Sequence, residues 1–242
     1  MTMLFRKLTF NRTLYNSLTF SRARQISLKA DGYPRNFIFH PAFFSEQEQR
    51  LLLSSSLARL DKNESRQYRV RRKDFLAKRT TEPSRVQNVF LPDDCYCFEE
   101  GHFDGVIKRY REIEVSSWPD ESLEFLHILD RLKSLHPPQP TLTHILHLAS
   151  DGEIFPHVDN VDASGSWILG VSLGNTRILR LENVNNPADT YELALPSGSV
   201  YLQSDSLRYE YKHSILLGKD DAGQRLSIMM RDRLPENRGL LL

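Results

Sequence analysis

The chain has 242 residues, of which 40% are hydrophobic and 26% charged, enough for one sizeable core and short for two. A formal net charge of +1 gives no global bias toward nucleic acid or membrane, and no apolar run is long enough to span a bilayer, so no stable membrane insertion is expected. Cys95 and Cys97, separated by one residue, suit neither a disulfide framework nor a closed zinc site and read as free thiols in a reducing compartment.

Residues 1–30 differ from the rest. Their charges are all basic (Arg6, Lys7, Arg12, Arg22, Arg24 and Lys29), set among Ser, Thr, Leu and Phe, and the first acid is Asp31. This is the arginine-bearing, acid-free pattern of a mitochondrial transit peptide, which predicts import to the matrix. The competing reading is a basic arm that binds nucleic acid or anionic lipid. Tyr33 to Pro41 then reads as a short edge strand. Ser45 and Glu48 form a capping box, and Leu51, Leu52, Leu53, Leu57 and Leu60 supply the apolar face of a packing helix.

Between Arg66 and Arg79 seven cations (Arg66, Arg69, Arg71, Arg72, Lys73, Lys78, Arg79) face one acid, Asp74, with Tyr68 and Phe75 interleaved. Such a segment either contacts RNA or an acidic protein by phosphate pairing and stacking, or is a solvated basic face. Pro92 to Trp118 reads as a loop-rich connection broken by Gly101 and Gly105. A second helix is predicted from Pro119, with Asp120 and Glu121 favouring its dipole. Leu123, Leu126 and Leu129, with Phe125, Ile128 and Leu132, form its buried stripe, and His136-Pro137-Pro138 ends it. His127 on this helix reads as structural.

Beyond Pro140 the hydrophobic period becomes two. Strands are predicted near Thr141–Leu148, Trp167–Leu173, Thr176–Glu182, Thr190–Leu195, Ser199–Gln203 and Arg225–Arg231. Helices first and short strands afterwards give an α+β fold: an antiparallel double-sheet jelly roll braced by the N-terminal helices. Asp159 to Gly165 looks superficially like a calcium loop, but its glycine comes late and Gly170 stands where the terminal acid belongs, so calcium binding is rejected.

Three pieces of this half carry chemistry. In an extended strand His157 and Asp159 point to one side, so an imidazole and a carboxylate can meet one ion while Val158 faces away. His213 lies in a polar-aromatic segment, Arg208-Tyr209-Glu210-Tyr211-Lys212-His213, that gives little reason for a core histidine. Two imidazoles and a carboxylate match the facial triad of non-haem Fe(II) oxygenases, although His-x-Asp alone is common by chance. From Arg225 to Arg231, Arg, Ser, Met and Arg alternate with Leu, Ile and Met, so one face is apolar and the other brings two guanidiniums together. Buried cations need anionic partners, and a dicarboxylate cosubstrate would be one.

The order His157-x-Asp159, distant His213, then Arg225-x-Ser227-x-x-x-Arg231 resembles the AlkB-like Fe(II)/2-oxoglutarate dioxygenases. Ser227 stands where most members of that family carry Asn. Gly152 to Asp159, and Pro196-Ser197-Gly198-Ser199-Val200-Tyr201 through Arg208-Tyr209 to His213, are similar to its mitochondrial branch, typified by the seventh mammalian AlkB homologue. The resemblance covers the last hundred residues or so well and the first half loosely. It implies one dioxygenase domain over 31–242, with a helical and lid part at 31–140 and a jelly-roll core at 141–234.

The same resemblance implies Fe(II) on His157, Asp159 and His213, with 2-oxoglutarate and dioxygen at the three remaining positions. It gives Arg225, helped by Tyr201, the distal carboxylate of 2-oxoglutarate, and Arg231 the metal-end carboxylate or Asp159. Tyr201 reads equally as a core tyrosine. His144 lines the cosubstrate pocket or is a satisfied core histidine. The expected partner of this monomer is a protein substrate, in a hydroxylase with family links to programmed necrosis and fatty-acid metabolism. The alternatives are a mitochondrial tRNA base demethylase, suggested by the basic segment, and a non-catalytic jelly-roll binding module.

Overall fold

The computed structural model describes residues 34–81, 83–118, 122–160, 165–218 and 222–233. The transit-peptide reading, the helix start at 119–121 and most of the Asp159 to Gly165 loop lie outside the described residues. The first part of the chain forms β1 (Phe37–His40), α1 (Glu46–Asp61), α2 (Arg66–Lys78), β2 (Glu99–Gly101), β3 (Ile107–Glu114) and α3 (Leu123–Lys133). The second part forms β4 (Thr141–His157), β5 (Trp167–Gly174), β6 (Arg177–Asn183), β7 (Thr190–Leu195), β8 (Ser199–Ser204), α4 (Ser206–Glu210), β9 (Tyr211–Leu217) and β10 (Arg225–Asp232).

The strands join in the order β1-β8-β5-β10-β4-β9-β6-β7, with β3 on the far edge of β4 and β2 beyond it; every pair is antiparallel. This is the curled sheet of a jelly roll. Its hinge is β4, a single strand of 17 residues that belongs to both halves. Thr141 to Leu148 pairs with β10, whereas Ile154 and His157 pair with Ile215 and His213 of β9. Gly152 sits at the bend, where a Cβ would lie 2.5 Å from the Arg109 carbonyl oxygen, so the strand can turn there only without a side chain.

Alternation along the strands separates two cores. Leu226, Ile228 and Met230 of β10 point away from the barrel and pack with Ile145, Leu169, Val171 and Val200 against Leu52, Leu53 and Phe125 of the helices. The opposite faces enclose Leu146, Leu148, Ile154, Leu179, Leu181 and Tyr201. The capping box of α1 forms as predicted, with the Glu48 backbone N–H donating to Ser45 Oγ and the Ser45 N–H donating to Glu48 Oε2 at 2.8 Å.

Elsewhere the elements depart from the sequence reading. α3 begins at Leu123 behind a Ser122 N-cap, and its buried stripe is Phe125, Ile128 and Leu132. Leu123 and Leu126 are exposed, because they fall on the other side of a helix whose inner line runs i, i+3, i+7. The basic segment is a helix, α2, and the connection read as loop contains β3, which pairs with β4 over most of its length. The part before residue 140 therefore supplies strands as well as helices.

Behind the barrel lies a buried polar network. His147, fully buried, accepts from Arg111 Nε at its Nδ1 (2.9 Å) and meets Gln224 Oε1 with its Nε2 (2.9 Å). Phe90, Tyr96 and Phe98 pack around its ring. Arg111 is anchored in turn by Asp61 (2.6 Å) and Glu64 (2.9 Å), and Arg72 by Asp61, Glu64 and the Cys95 carbonyl. Burial, reinforced by Arg111, holds His147 well below the usual imidazole value of 6.5, so it stays neutral in the fold. The unfolded chain therefore takes up a proton that the folded chain refuses, and stability is lost as pH falls below about 6.5. His147→Gln is expected to remove part of that loss: urea midpoints at pH 7.5 and 5.5 should converge in the variant relative to the parent chain, and equal pH dependence in both would contradict the assignment.

Candidate metal centre

His157 ends β4 and His213 sits opposite it on β9, with ring centroids 4.2 Å apart. Asp159, two residues past the strand, turns its carboxylate between them. Its Oδ1 lies 3.1 Å from His157 Nε2 and 3.7 Å from His213 Nε2, and ligand atoms of all three residues fall within 4.8 Å of one another. Arg231 Nη1 approaches the other carboxylate oxygen at 3.6 Å, and Arg208 Nη1 donates to the Asp159 backbone carbonyl at 3.2 Å.

The electrostatics of the cluster follow from this packing. Burial raises the cost of charging Asp159, but the His157 hydrogen bond and the nearby His213 and Arg231 outweigh it and hold the carboxyl far below its usual range. Burial pushes His213 down to about 4 despite Asp159, so it presents a neutral imidazole. His157 moves the other way: burial opposes its charge, but Asp159 and the Phe155 carbonyl raise it. Its Nδ1 must donate to that carbonyl (2.9 Å), which leaves Nε2 aimed at Asp159. A divalent cation replacing the Nε2 proton would meet two imidazole nitrogens and a carboxylate, so the donor set fits iron of the facial-triad type.

Register places the arginine wall beside this cluster. Arg225, Ser227, Met229 and Arg231 of β10 share the inner face with Leu148, Leu146, His144 and Leu142 of β4, and with Gly174, Ser172, Gly170 and Ile168 of β5. Arg225 is 1% exposed and donates from Nε to Ser172 Oγ at 3.0 Å, and it has no ion pair among the described residues. Burial lowers its guanidinium to about 10, with Arg177 adding to the effect and Tyr201 opposing it. Tyr201 faces inward on β8, opposite Gly170, and its phenol is pushed up by burial. His144 lies on the same inner row, held below its usual value by burial and Arg231, with Nε2 3.9 Å from Glu114.

Several residues of this wall carry no recognisable motif. Ser172 supports Arg225. Arg177, completely buried on β6, donates to the carbonyls of Ala149, Ser150 and Gly223. Arg208 is completely buried, and nothing in its polar segment shows that in advance. Gly170 has a detectable signal, a glycine inside a strand, and a clear role: a Cβ there would fall into the Tyr201 ring. Ser227, where the resembling family has Asn, reaches only the Leu146 carbonyl, at 3.5 Å.

A curled antiparallel barrel that gathers two imidazoles, a carboxylate and a buried arginine on one inner face defines a jelly-roll oxygenase of the non-haem iron class. The chain belongs to the 2OG-Fe(II) oxygenase superfamily, whose pattern matches residues 36–234, and within it to the AlkB-like proteins of the alkB homolog 7 branch. The alpha-ketoglutarate-dependent dioxygenase alkB homolog 7, mitochondrial, of Mus musculus is 36% identical over 152 residues, which is 59% of this chain and 68% of the relative. The Bos taurus protein of the same name is 34% identical over the same span.

Two solved structures share the fold. A prolyl-4-hydroxylase of Pseudomonas putida has 12% identity and a TM-score of 0.50, over 83% of this chain and 93% of that one. OsALKBH1 has 15% identity and a TM-score of 0.50, over 83% of this chain and all (100%) of that one. The protein is thus a dioxygenase that uses Fe(II), 2-oxoglutarate and dioxygen. Gly170→Ala is expected to displace the Tyr201 ring and weaken 2-oxoglutarate binding. Gly101→Ala, whose Cβ would meet nothing closer than 3.8 Å, should leave binding unchanged; equal affinities in calorimetry for both variants would show that Tyr201 does not touch the cosubstrate.

Proposed function

We propose that this dioxygenase works in the mitochondrial matrix and hydroxylates a protein side chain. The observation that carries the chemistry is Arg225: a guanidinium buried among strands without a counter-charge among the described residues, on the same inner face as a His/Asp/His cluster. An isolated buried cation is costly unless an anion arrives to pair with it, and a dicarboxylate supplies that anion. Mitochondrial location and the protein substrate rest on similarity to relatives named mitochondrial and on the branch resemblance; links to programmed necrosis and fatty-acid metabolism rest on that resemblance alone.

In this reading His157, Asp159 and His213 hold the metal on one face, and Arg231 and Arg208 fix Asp159 at its carboxylate and its carbonyl. Arg225, backed by Ser172, grips the distal carboxylate of 2-oxoglutarate with Tyr201 beside it. His144 lines the wall next to Arg231. Leu146, Leu148 and Leu179 keep the inner face dry, which strengthens every charged contact there. The chemistry supplied when the site is loaded is insertion of one dioxygen atom into a substrate C–H bond, the other entering succinate as 2-oxoglutarate loses carbon dioxide. A hydroxylated N-methyl carbon leaves as formaldehyde when its C–N bond breaks and the hydroxyl proton passes to nitrogen, which is demethylation; a carbon without nitrogen stays hydroxylated.

A second substrate reading, a mitochondrial tRNA, is favoured by α2, where Arg66, Arg69 and Lys73 are exposed. Arg72 is not part of that face, because it is buried against Asp61, Glu64 and the Cys95 carbonyl, and neutralising it would damage the fold instead of testing RNA binding. The neutralisation test therefore uses Arg69→Gln with Lys73→Gln. If RNA is the substrate, the parent chain's affinity should fall with salt, and each lost phosphate contact should reduce the log–log slope by about 0.7. A flat slope supports the protein substrate.

Two outcomes are expected for the site itself. Added Fe(II) and 2-oxoglutarate should give the parent protein a weak visible charge-transfer band, and Asp159→Ala or His213→Ala should abolish it; a parent protein without the band would be the non-catalytic binding module. Arg225→Gln should raise the KM for 2-oxoglutarate by roughly a hundredfold to several thousandfold, the effect of losing a buried ion pair worth about 3–5 kcal/mol.

A further inference from the structure

At the Arg225 end of the sheet, outside the barrel, a cleft of about 710 Å³ opens between the end of α2, the 3-10 turn Val86–Val89 and the approach to β10. Along β10 it lies about seven residues from Arg231, or roughly 23 Å at strand spacing, so it is separate from the metal cluster. Its floor includes Phe90 and Gln224, its rim Lys78 and Arg79, and its side Gln87 and Asn88. Among the described residues that line it there is no Asp or Glu. The Lys78 ammonium has no hydrogen bond or ion pair among the described residues. Arg79 donates from Nη2 to the Asn88 carbonyl, which pins its guanidinium at the rim with the rest of its fork uncommitted.

We propose that this cleft binds a nucleotide, with its phosphates on Lys78 and Arg79 and its base against Phe90, read by Gln87 and Asn88. Neither cation has an acid partner among the described residues, and the neighbouring Asp93 carboxylate is already taken by Ser150 and Gln224, so the pair calls for an anion. The volume is far larger than an inorganic phosphate needs and lies in the range of organic ligands. Phe90 stacks on His147 with centroids 5.0 Å apart, which holds its ring in place as a platform. The carboxamides of Gln87 and Asn88 donate to the Gly174 carbonyl (3.3 Å) and to Ser84 Oγ (3.4 Å), and each keeps a second N–H and its oxygen for a base edge.

The same cleft touches the cosubstrate end of the site. Gln224 bonds His147, the Leu91 carbonyl and Asp93, and the next residue in the chain is Arg225. Gly223 gives its carbonyl to Arg177. A ligand resting on this floor restricts the segment that aims Arg225, so nucleotide and 2-oxoglutarate affinities become linked. This linkage, unlike the binding itself, rests on the dioxygenase reading given above.

Calorimetry on the metal-free full chain tests the binding first, with ADP, inorganic phosphate and adenosine as separate probes. ADP is expected to bind one to one and more tightly than either fragment. Lys78→Gln with Arg79→Gln should weaken it by roughly ten- to a hundredfold, and Arg69→Gln on another face should not change it. Absence of ADP binding, or binding indifferent to the Lys78 and Arg79 substitutions, overturns the proposal. Phosphate binding as tight as ADP marks an anion site without base recognition, and a short RNA that binds through these residues where ADP does not marks an RNA contact; both overturn the nucleotide assignment. With Fe(II) and 2-oxoglutarate present, ADP should change the 2-oxoglutarate Kd by the same factor that 2-oxoglutarate changes the ADP Kd. Unlinked affinities overturn the coupling alone, and loss of the charge-transfer band with ADP binding intact sinks the dioxygenase reading alone.

Discussion

The Asp159 carboxylate is the point on which the structure turns. It is partly buried, and a carboxylate taken out of water is tolerated only where positive or donor groups replace the lost hydration. Those groups come from three separate stretches of chain: His157 from the end of β4, His213 from β9 and Arg231 from β10. They meet because β4 bends past Gly152 and changes partner along its length, from β10 to β9. A strand confined to one sheet would leave His157 without His213 opposite it. The jelly roll is therefore more than a container for the site, since its crossing strand is what assembles the donor set.

The other end of the same wall is organised by a cation instead of an anion. Arg225 is buried with Ser172 as its neutral support, and Arg177 beside it turns one nitrogen, Nη2, toward three backbone carbonyls. The inner face thus runs from a carboxylate held by donor and cationic groups at one end to a buried cation with no ion pair among the described residues at the other. Gly170 lets Tyr201 lie flat across the middle of that path, where any side chain would occupy the space of its ring. Ser227, small and bonded weakly, leaves the same region roomier than a larger amide would.

Helices and barrel communicate through polar contacts as well as through the apolar layer. His147, neutral and enclosed by aromatic rings, connects Arg111 and the acids of α1 and its following turn to Gln224 at the start of β10. In low-dielectric surroundings such a chain of satisfied bonds fixes relative positions tightly, because breaking any one link strands a buried polar group. Gln224, the residue before the buried Arg225, is in this way tied to the helical layer and to the cleft beyond it.

The sequence alone determined which side chains face inward together. The period-two run from Arg225 to Arg231 and the Ser45/Glu48 box are local patterns set by backbone geometry within a few residues, and both appear as read; His157 instead ends its strand and Asp159 lies two residues beyond it, so their meeting is not a product of strand alternation. Fold class follows from the same periodicity. Tertiary structure alone decided what those faces meet. His213 faces His157 across a strand pair separated by more than fifty residues of chain, Arg208 is buried with its guanidinium donating to the Asp159 carbonyl, and Arg72 leaves the basic face of α2 because Asp61, Glu64 and the Cys95 carbonyl wait behind it. Periodicity fixes the side to which a residue points, whereas pairing and burial are set by whichever distant segment the closed sheet brings to that side.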